Sequence, residues 1–506
     1  MPFMKFRALL SFLLAAFSSA KAAPDWTSDL REDMLELHYS GVATGISAVW
    51  EWRLNVPGAG EQVLWQALPE ADDKGKFKLV TPIPDAGWES LEIRAKEGET
   101  VSLSRTWVCD PHGPLQLLTL SRIDSLPEPH RKVWQDYLAR SRGVALQERR
   151  ALAAECRRLG RRVSNPAPED SKEFEFDDEK TDEGWYGSAE AAKLADVVLT
   201  YQTPSGGWSK AVDYTRGARQ PGTHWTSQDG KGWHYSGTLD NRATTEQIKF
   251  LAQVAHAHRR EDCRTAALRG IDWLLAAQFP NGGWPQVYPL EPGYHEAITF
   301  NDGAMTHALE VLHAVSQGDA PFAWVSAEIR QKAQAAFDRG LKCLLACQVR
   351  LKGVRTVWCA QHDPLTLEPV AARLKEPPSL SGGESAVMLR FLMRNAPLDE
   401  EVRGAVSDGI AWLESKKIIG LRRIKNEKGR TDYVQDPSST EVLWARFYSL
   451  ESGLPIFPGA GDGVVYATYH EMAQNNKVAY DYFTNKPKNL KEKEWARWEK
   501  RWQTGK

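Results

Sequence analysis

The 506-residue chain has almost no excess charge of either sign, with 64 lysines and arginines against 66 aspartates and glutamates. That balance excludes a general binder of nucleic acid or anionic membrane, and an anionic ligand has to be held by local positive charge. Cysteine is scarce too. The six, Cys109, Cys156, Cys263, Cys343, Cys347 and Cys359, are irregularly spaced and form no CxxC pair. This argues against a zinc site and dictates no disulfide pairing. Cys343 and Cys347, four apart in a helical stretch, read as core packing. Beyond the first residues, no apolar run is long enough to cross a bilayer.

The N-terminus is different. Lys5 and Arg7 precede an apolar stretch from Ala8 to Phe17, and Ala20-Lys21-Ala22 is a small-x-small cleavage site. The pattern predicts a signal peptide over 1–22 and a mature protein, secreted or periplasmic, that begins near Ala23. From there to about residue 126 a small β-rich module is expected. VWEWRLNV, FKLVTPI, LEIRA and TVSLSRTWV alternate apolar and polar residues between turn-forming segments. Two readings of Trp50, Trp52 and Trp65 stay open: a face on which sugars stack, or a packed core. Residues 127–184 read as a helical connector ending in an acidic, proline-containing linker.

From 185 to 506 the apolar residues recur at three- and four-residue spacing, as in TTEQIKFLAQVAHAH, RTAALRGIDWLLAAQ and ESAVMLRFLMRN. Long apolar faces joined by short Gly- and Pro-rich breaks predict a mainly α fold. Q-x-P-x-G-G-W occurs twice, at Gln202–Trp208 and Gln278–Trp284, each ending one helix before another begins. A repeat of this kind predicts helical hairpins curving into an α/α toroid of the (α/α)3 type. Twenty tryptophans are many. Those of the two repeats are expected to plug the gaps between hairpins, and Trp208 and Trp284 are also candidates for substrate contact.

Chemistry is expected in the loops at one end of the toroid. Asp240-Asn241 and Asn301-Asp302 both stand just before helices. Either dipeptide alone reads as a helix cap. The pair together offers several hard oxygens, of the kind calcium takes from flexible loops. His362-Asp363 invites a general-base reading. Adjacent residues seldom face each other, so a structural or substrate-lining role is expected for His362. Glu384 opens a helix, as a complement to its dipole or as a lining of the cleft.

GTLDNRATTEQ, QFPNGGWPQVYP, TFNDGAM, WCAQHD, EPPSLSGGES and WARFYSLESGLPIF follow one another in this order. Over roughly 185–469 the chain resembles the family 10 polysaccharide lyases, which are pectate lyases. The resemblance implies a calcium-assisted β-elimination of α-1,4-linked polygalacturonate, the polymer of pectin. It implies Arg373 as the Brønsted base, Asp302 and Asn241 as Ca2+ ligands, and Asp240 as an essential aspartate that binds a second Ca2+ with substrate. It implies Lys210 and Arg446 as holders of uronate carboxylates. The chain departs from the family where an arginine is usual after the glycine of an F-x-G-R-D-G segment: here Ala460 follows Gly459. A monomer is expected.

Three rival classes remain at this stage. A terpenoid cyclase-like toroid shares the Q-x-P-x-G-G-W repeat but needs a DxDD or DDxxD motif, and neither is found. A glycoside hydrolase needs two carboxylates flanking the scissile bond, which Asp240 and Asp302 could supply. A pectin-binding protein would bind without catalysis.

Overall fold

The computed structural model describes residues 27–31, 34–40, 49–55, 65–67, 76–82, 90–97, 100–107, 118–161, 181–210, 212–226, 236–291, 293–373, 375–427, 429–460, 464–476, 478 and 481–504. The expected leader over 1–22 and most of the expected acidic linker, 162–180, lie outside them. Among the described residues, no helix is long and apolar enough to cross a membrane. The chain divides into two units, residues 1–107 and 108–506.

The first unit contains two antiparallel sheets. One is ordered β1 (Thr27–Arg31), β2 (Met34–Ser40), β5 (Lys76–Pro82). The other is ordered β4 (Gln66–Ala67), β3 (Val49–Asn55), β6 (Ser90–Glu97), β7 (Thr100–Trp107). Trp52 is buried, and the Arg53 guanidinium lies 4.7 Å from the centre of the Trp65 ring. These two tryptophans therefore do not form an open stacking face.

The second unit is helical. After a long helix α1 (His130–Leu159) comes α2 (Ala189–Thr200), then three hairpins: α3 (Thr245–His258) with α4 (Glu261–Ala277), α5 (Ala304–Gln317) with α6 (Ala327–Ala346), and α7 (Gly382–Asn395) with α8 (Glu400–Ser415). The first member of each hairpin is inner: α3 packs on α5 and α5 on α7, and all three are buried along most of their length. The fold is mainly α, an α/α toroid of three helical hairpins.

One construction repeats around it. Each outer helix is followed by a loop whose tryptophan turns back and donates its indole N–H to a carbonyl of that helix. Trp208 bonds Val198, Trp284 bonds Leu274, Trp358 bonds Leu344 and Trp444 bonds Leu413, at 2.7–3.0 Å. A glutamine then ties each outer helix to the next. Gln202 donates to Gly206 O and Ala266 O, Gln278 to Gly282 O and Ala336 O, and Gln348 to Thr356 O and Ala405 O. The repeated Gly-Gly is explained here. Gly282 has φ +99°, and a Cβ on it would lie 2.2 Å from Arg339 O. Only glycine lets the loop press so close to the neighbouring helix.

Helix α1 braces this ring from one side. Tyr137 Oη donates to Ala277 O at 2.9 Å, and Glu148 accepts from the Ser205 hydroxyl at 2.6 Å. Glu155 accepts from Arg219 at 2.6 Å. At the far end, α9 (Ala496–Thr504) packs on the third hairpin. Trp498 is buried, and Arg501 donates to Met393 O at 3.2 Å. The basic, tryptophan-bearing tail is thus part of the packing.

Candidate active site

The rim is built from the same repeat. Thr238, Thr299 and Ser381 each donate their backbone N–H to the carbonyl of a loop tryptophan, Trp208, Trp284 and Trp358. These threonines and serine lie in two-residue strands that pair with the following loop: Thr238 with Val287, Thr299 with Gln361, Ser381 with Phe447. The residue two places after each tryptophan is Lys210, Gln286, Ala360 and Arg446 in turn. The carbonyls of Gln286, Ala360 and Arg446 accept from Leu239, Phe300 and Gly382 at 2.9, 2.8 and 3.2 Å. Lys210 and Arg446 therefore occupy equivalent positions in the first and last loops.

The Asx pairs are equivalent as well. Asp240 and Asn301 follow the short strands by two residues, and Asn241 and Asp302 by three. Each pair opens a 3-10 turn at the mouth of an inner helix, Asp240–Arg242 before α3 and Asn301–Gly303 before α5. Asn241 and Asp302 have φ of 50° and 51°. Few residues other than Asn, Asp and Gly take this left-handed conformation readily. The backbone here thus selects side chains that also carry oxygen.

Charge is concentrated at this rim. Lys210 Nζ lies 2.5 Å from Asp240 Oδ2. Burial raises the Asp302 carboxyl above the usual carboxylate range, and the negative charge of Asp240 adds to it, while Arg446 and Lys486 oppose. Glu384, in the first turn of α7, is buried and raised for the same first reason; Lys486 opposes, and Asp302 adds. Lys486 Nζ stands 3.8 Å from its Oε1. Arg446 and Lys486 are carried by a second, aromatic-rich core around Phe447, Phe457, Tyr469, Tyr482 and Phe483, and Arg446 N donates to Tyr482 O at 2.7 Å.

Arg373 is held by Glu376 through two parallel bonds, Nε to Oε2 at 2.8 Å and Nη2 to Oε1 at 2.9 Å. Its guanidinium also lies 5.9 Å from the centre of the Tyr294 ring. Asn301, Gln361, Glu376, Ser379, Glu384 and Arg446 line one small cavity with room for about one water molecule. Arg373 is joined to this polar cluster through Glu376.

The structure thus brings Lys210, Asp240, Asp302 and Arg446 into one electrostatic neighbourhood, with Asn241 in the adjoining turn and Arg373 at its edge. Glu376 and Lys486 were missed from sequence. Glu376 opens the motif EPPSLSGGES but was given no role there, attention going to Arg373 before it and Glu384 after it, and Lys486 has no motif around it.

Three readings of substrate contact are corrected. Trp208 and Trp284 have 0% exposure. Their rings fill the space between outer helices and their N–H groups cap them, so neither offers a face to a sugar. His362 is also at 0%. Its Nδ1 lies 2.8 Å from Leu367 O, its Nε2 accepts from Cys359 N at 3.2 Å, and burial pushes its pKa down to about 4. It is a neutral structural histidine. Asp363 accepts from Arg122 at 2.7 Å and from the backbone of Leu365 and Thr366, so it too serves structure.

Among the described residues, no group of three or more His, Cys, Asp or Glu is arranged to hold a metal ion. Two carboxylates and an amide remain, from Asp240, Asp302 and Asn241. Asp240 and Asp302 repel each other while both are charged, a strain that a divalent cation would relieve. A set this small suits a hard ion that keeps several positions for water and ligand oxygens.

Residues 202–491 match the model of the family described as pectic acid lyase. A solved family 10 polysaccharide lyase from Cellvibrio cellulosa is similar over 62% of this chain and 95% of its own, with 32% identity and a TM-score of 0.54. An aspartate-to-alanine mutant of a family 10 polysaccharide lyase from the same organism, in complex with trigalacturonic acid, is similar over 60% and 92%, with 32% identity and a TM-score of 0.53. No curated protein matches the chain. The matched region contains the tryptophan loops, both Asx turns, Arg373 and Arg446, and on this ground the chain belongs to the pectic acid lyase family and is a polysaccharide lyase.

Proposed function

We propose that the chain is a secreted, calcium-dependent pectate lyase that cleaves α-1,4-polygalacturonate by β-elimination, with Arg373 as the base. The observation that carries this reading is the pairing of two repeat-equivalent cations, Lys210 and Arg446, with the Asx turns of Asp240–Asn241 and Asn301–Asp302 at one rim. The trigalacturonic acid bound by the similar lyase supports the substrate class.

β-Elimination breaks the C5–H bond and the C4–O bond of one uronate and forms a C4–C5 double bond; the leaving oxygen departs with the neighbouring sugar and takes a proton from water to become its hydroxyl. Negative charge builds on the uronate carboxylate as the proton leaves. Lys210 and Arg446 bind uronate carboxylates, Arg446 with the planar fork that suits two parallel hydrogen bonds. Asp302, Asn241 and Asp240 would hold Ca2+, which when bound neutralises that charge and acidifies C5. Arg373 takes the C5 proton. A guanidinium is protonated at neutral pH, so the reaction runs through its neutral form and the optimum is alkaline.

Polygalacturonate with calcium should give absorbance near about 235 nm from the unsaturated product, and a chelator should abolish it. Reducing ends without that absorbance would assign a hydrolase. Binding without either would assign a pectin-binding protein.

A further inference from the structure

We propose that Glu376 is a positioning residue for Arg373: it fixes the plane of the guanidinium and sets the pH at which Arg373 can work. The inference rests on the reading of Arg373 as base. Its own support is geometric. The Glu376 carboxylate takes Nε and Nη2 at 2.8 and 2.9 Å and also the backbone N–H of Arg373 at 3.2 Å. The return bond, Glu376 N to Arg373 O at 2.7 Å, closes the loop on itself. Glu376 is buried, while the Arg373 side chain is 39% exposed. A rigid, buried anchor therefore holds a reaching, part-exposed head. Tyr294 lies against one side of that head and is itself stacked on the buried His295, with ring centroids 4.0 Å apart. The guanidinium is thus held in one plane before any ligand arrives. Preorganisation of this kind lowers the entropy cost of reaction.

The anchor has a second effect. An anion paired edge-on with a guanidinium favours its charged form. Glu376 therefore both aims Arg373 and keeps it protonated to higher pH. Among the described residues, the charges near the pair include Lys375 and Arg446, which favour the neutral form, and Asp302 and Glu384, which share the same polar cluster. Aim and basicity are thus controlled by one carboxylate, and its removal should separate them.

The test is a set of pH–rate profiles for elimination by the full chain and by E376Q, E376D and R373A, with thermal melting as a check on folding. E376Q keeps the shape and loses the charge. We expect its plateau kcat to fall about tenfold with little change in KM, and its alkaline rise to move down by about one pH unit. E376D should regain part of the lost kcat and return the rise toward its original place. A wild-type profile and kcat in E376Q would overturn the role of Glu376. Loss of rate in E376Q with no movement of the rise, or with a matching fall in melting temperature that E376D shares, would reduce it to a structural residue and also overturn the proposal. Failure of the underlying reading looks different: R373A would keep its rate and pH dependence.

Discussion

Asn241 and Asp302 occupy the same place in successive rim turns and share one left-handed backbone conformation, φ 50° and 51°. The turns set an amide and a carboxylate at equivalent backbone positions, while burial and Asp240 make the charged form of Asp302 costly. D302N removes that cost. With a chelator present at neutral pH it should melt at a higher temperature than the parent chain. It should also lose the stabilisation that calcium gives the parent. Differential scanning calorimetry with and without calcium reads both.

Lys210 and Asp240 form a bridge at 2.5 Å with side chains 17% and 8% exposed. K210M and D240N should each raise KM for oligogalacturonates at least tenfold, because one removes a carboxylate holder and the other the group that keeps it in place. Their effects on stability should be coupled by about 1 kcal/mol. A double-mutant cycle measures the coupling, and strict additivity would mean that the bridge contributes nothing.

The loop glycines make a sharp contrast. G282A places a methyl carbon 2.2 Å from Arg339 O at φ +99°, and should cost about 3 kcal/mol or more. G353A also has positive φ, but nothing lies within 4 Å of its added carbon, so about 1 kcal/mol is expected. Q278A leaves two buried carbonyls without their shared donor and should cost about 2 kcal/mol. Urea unfolding of the three variants ranks them.

Stability should also depend on pH through Glu291. Burial pushes its carboxyl up to about 7, Arg149 opposing and Glu148 adding. A carboxyl raised on folding stabilises the folded chain most at low pH. That contribution is lost as pH rises from about 4 through about 7. E291Q should therefore flatten the fall of melting temperature over this range, by a few degrees. An unchanged slope would place the titration elsewhere.

Much of the toroid was legible because its period is written in apolar residues. The hairpins, the two Gly-Gly-Trp loops and the matched Asx dipeptides could all be read from spacing. The third loop, from Gln348 to Trp358, was not, because its turn is a short hairpin over Arg350–Arg355 in place of Gly-Gly. What recurs there is a glutamine and a tryptophan with a changed distance between them. The helix pattern A-x-x-x-G at Ala266–Gly270, Ala336–Gly340 and Ala405–Gly409 also went unread. Its glycines clear space for the neighbouring loop and inner helix: a Cβ on Gly340 would meet Leu309 at 2.5 Å and Trp284 at 2.7 Å. The tryptophans were partly misread, since an aromatic beside glycine gives no sign of which side the solvent is on. Glu376 and Lys486 were invisible for another reason. Lys486 owes its importance to Glu384 and Asp302, far along the chain, whereas Glu376 has its partner Arg373 only three residues away, and an acid three places after an arginine in a loop is no distinctive pattern.

The position two residues after each loop tryptophan has a consequence for how such a rim can change. In the second to fourth loops its backbone carbonyl joins neighbouring modules, a task any amino acid performs. The side chain is thereby released from construction. A single codon at this address can swap a cation for a neutral group, as Ala360 does where Arg446 has its charge, and the ring will close just the same.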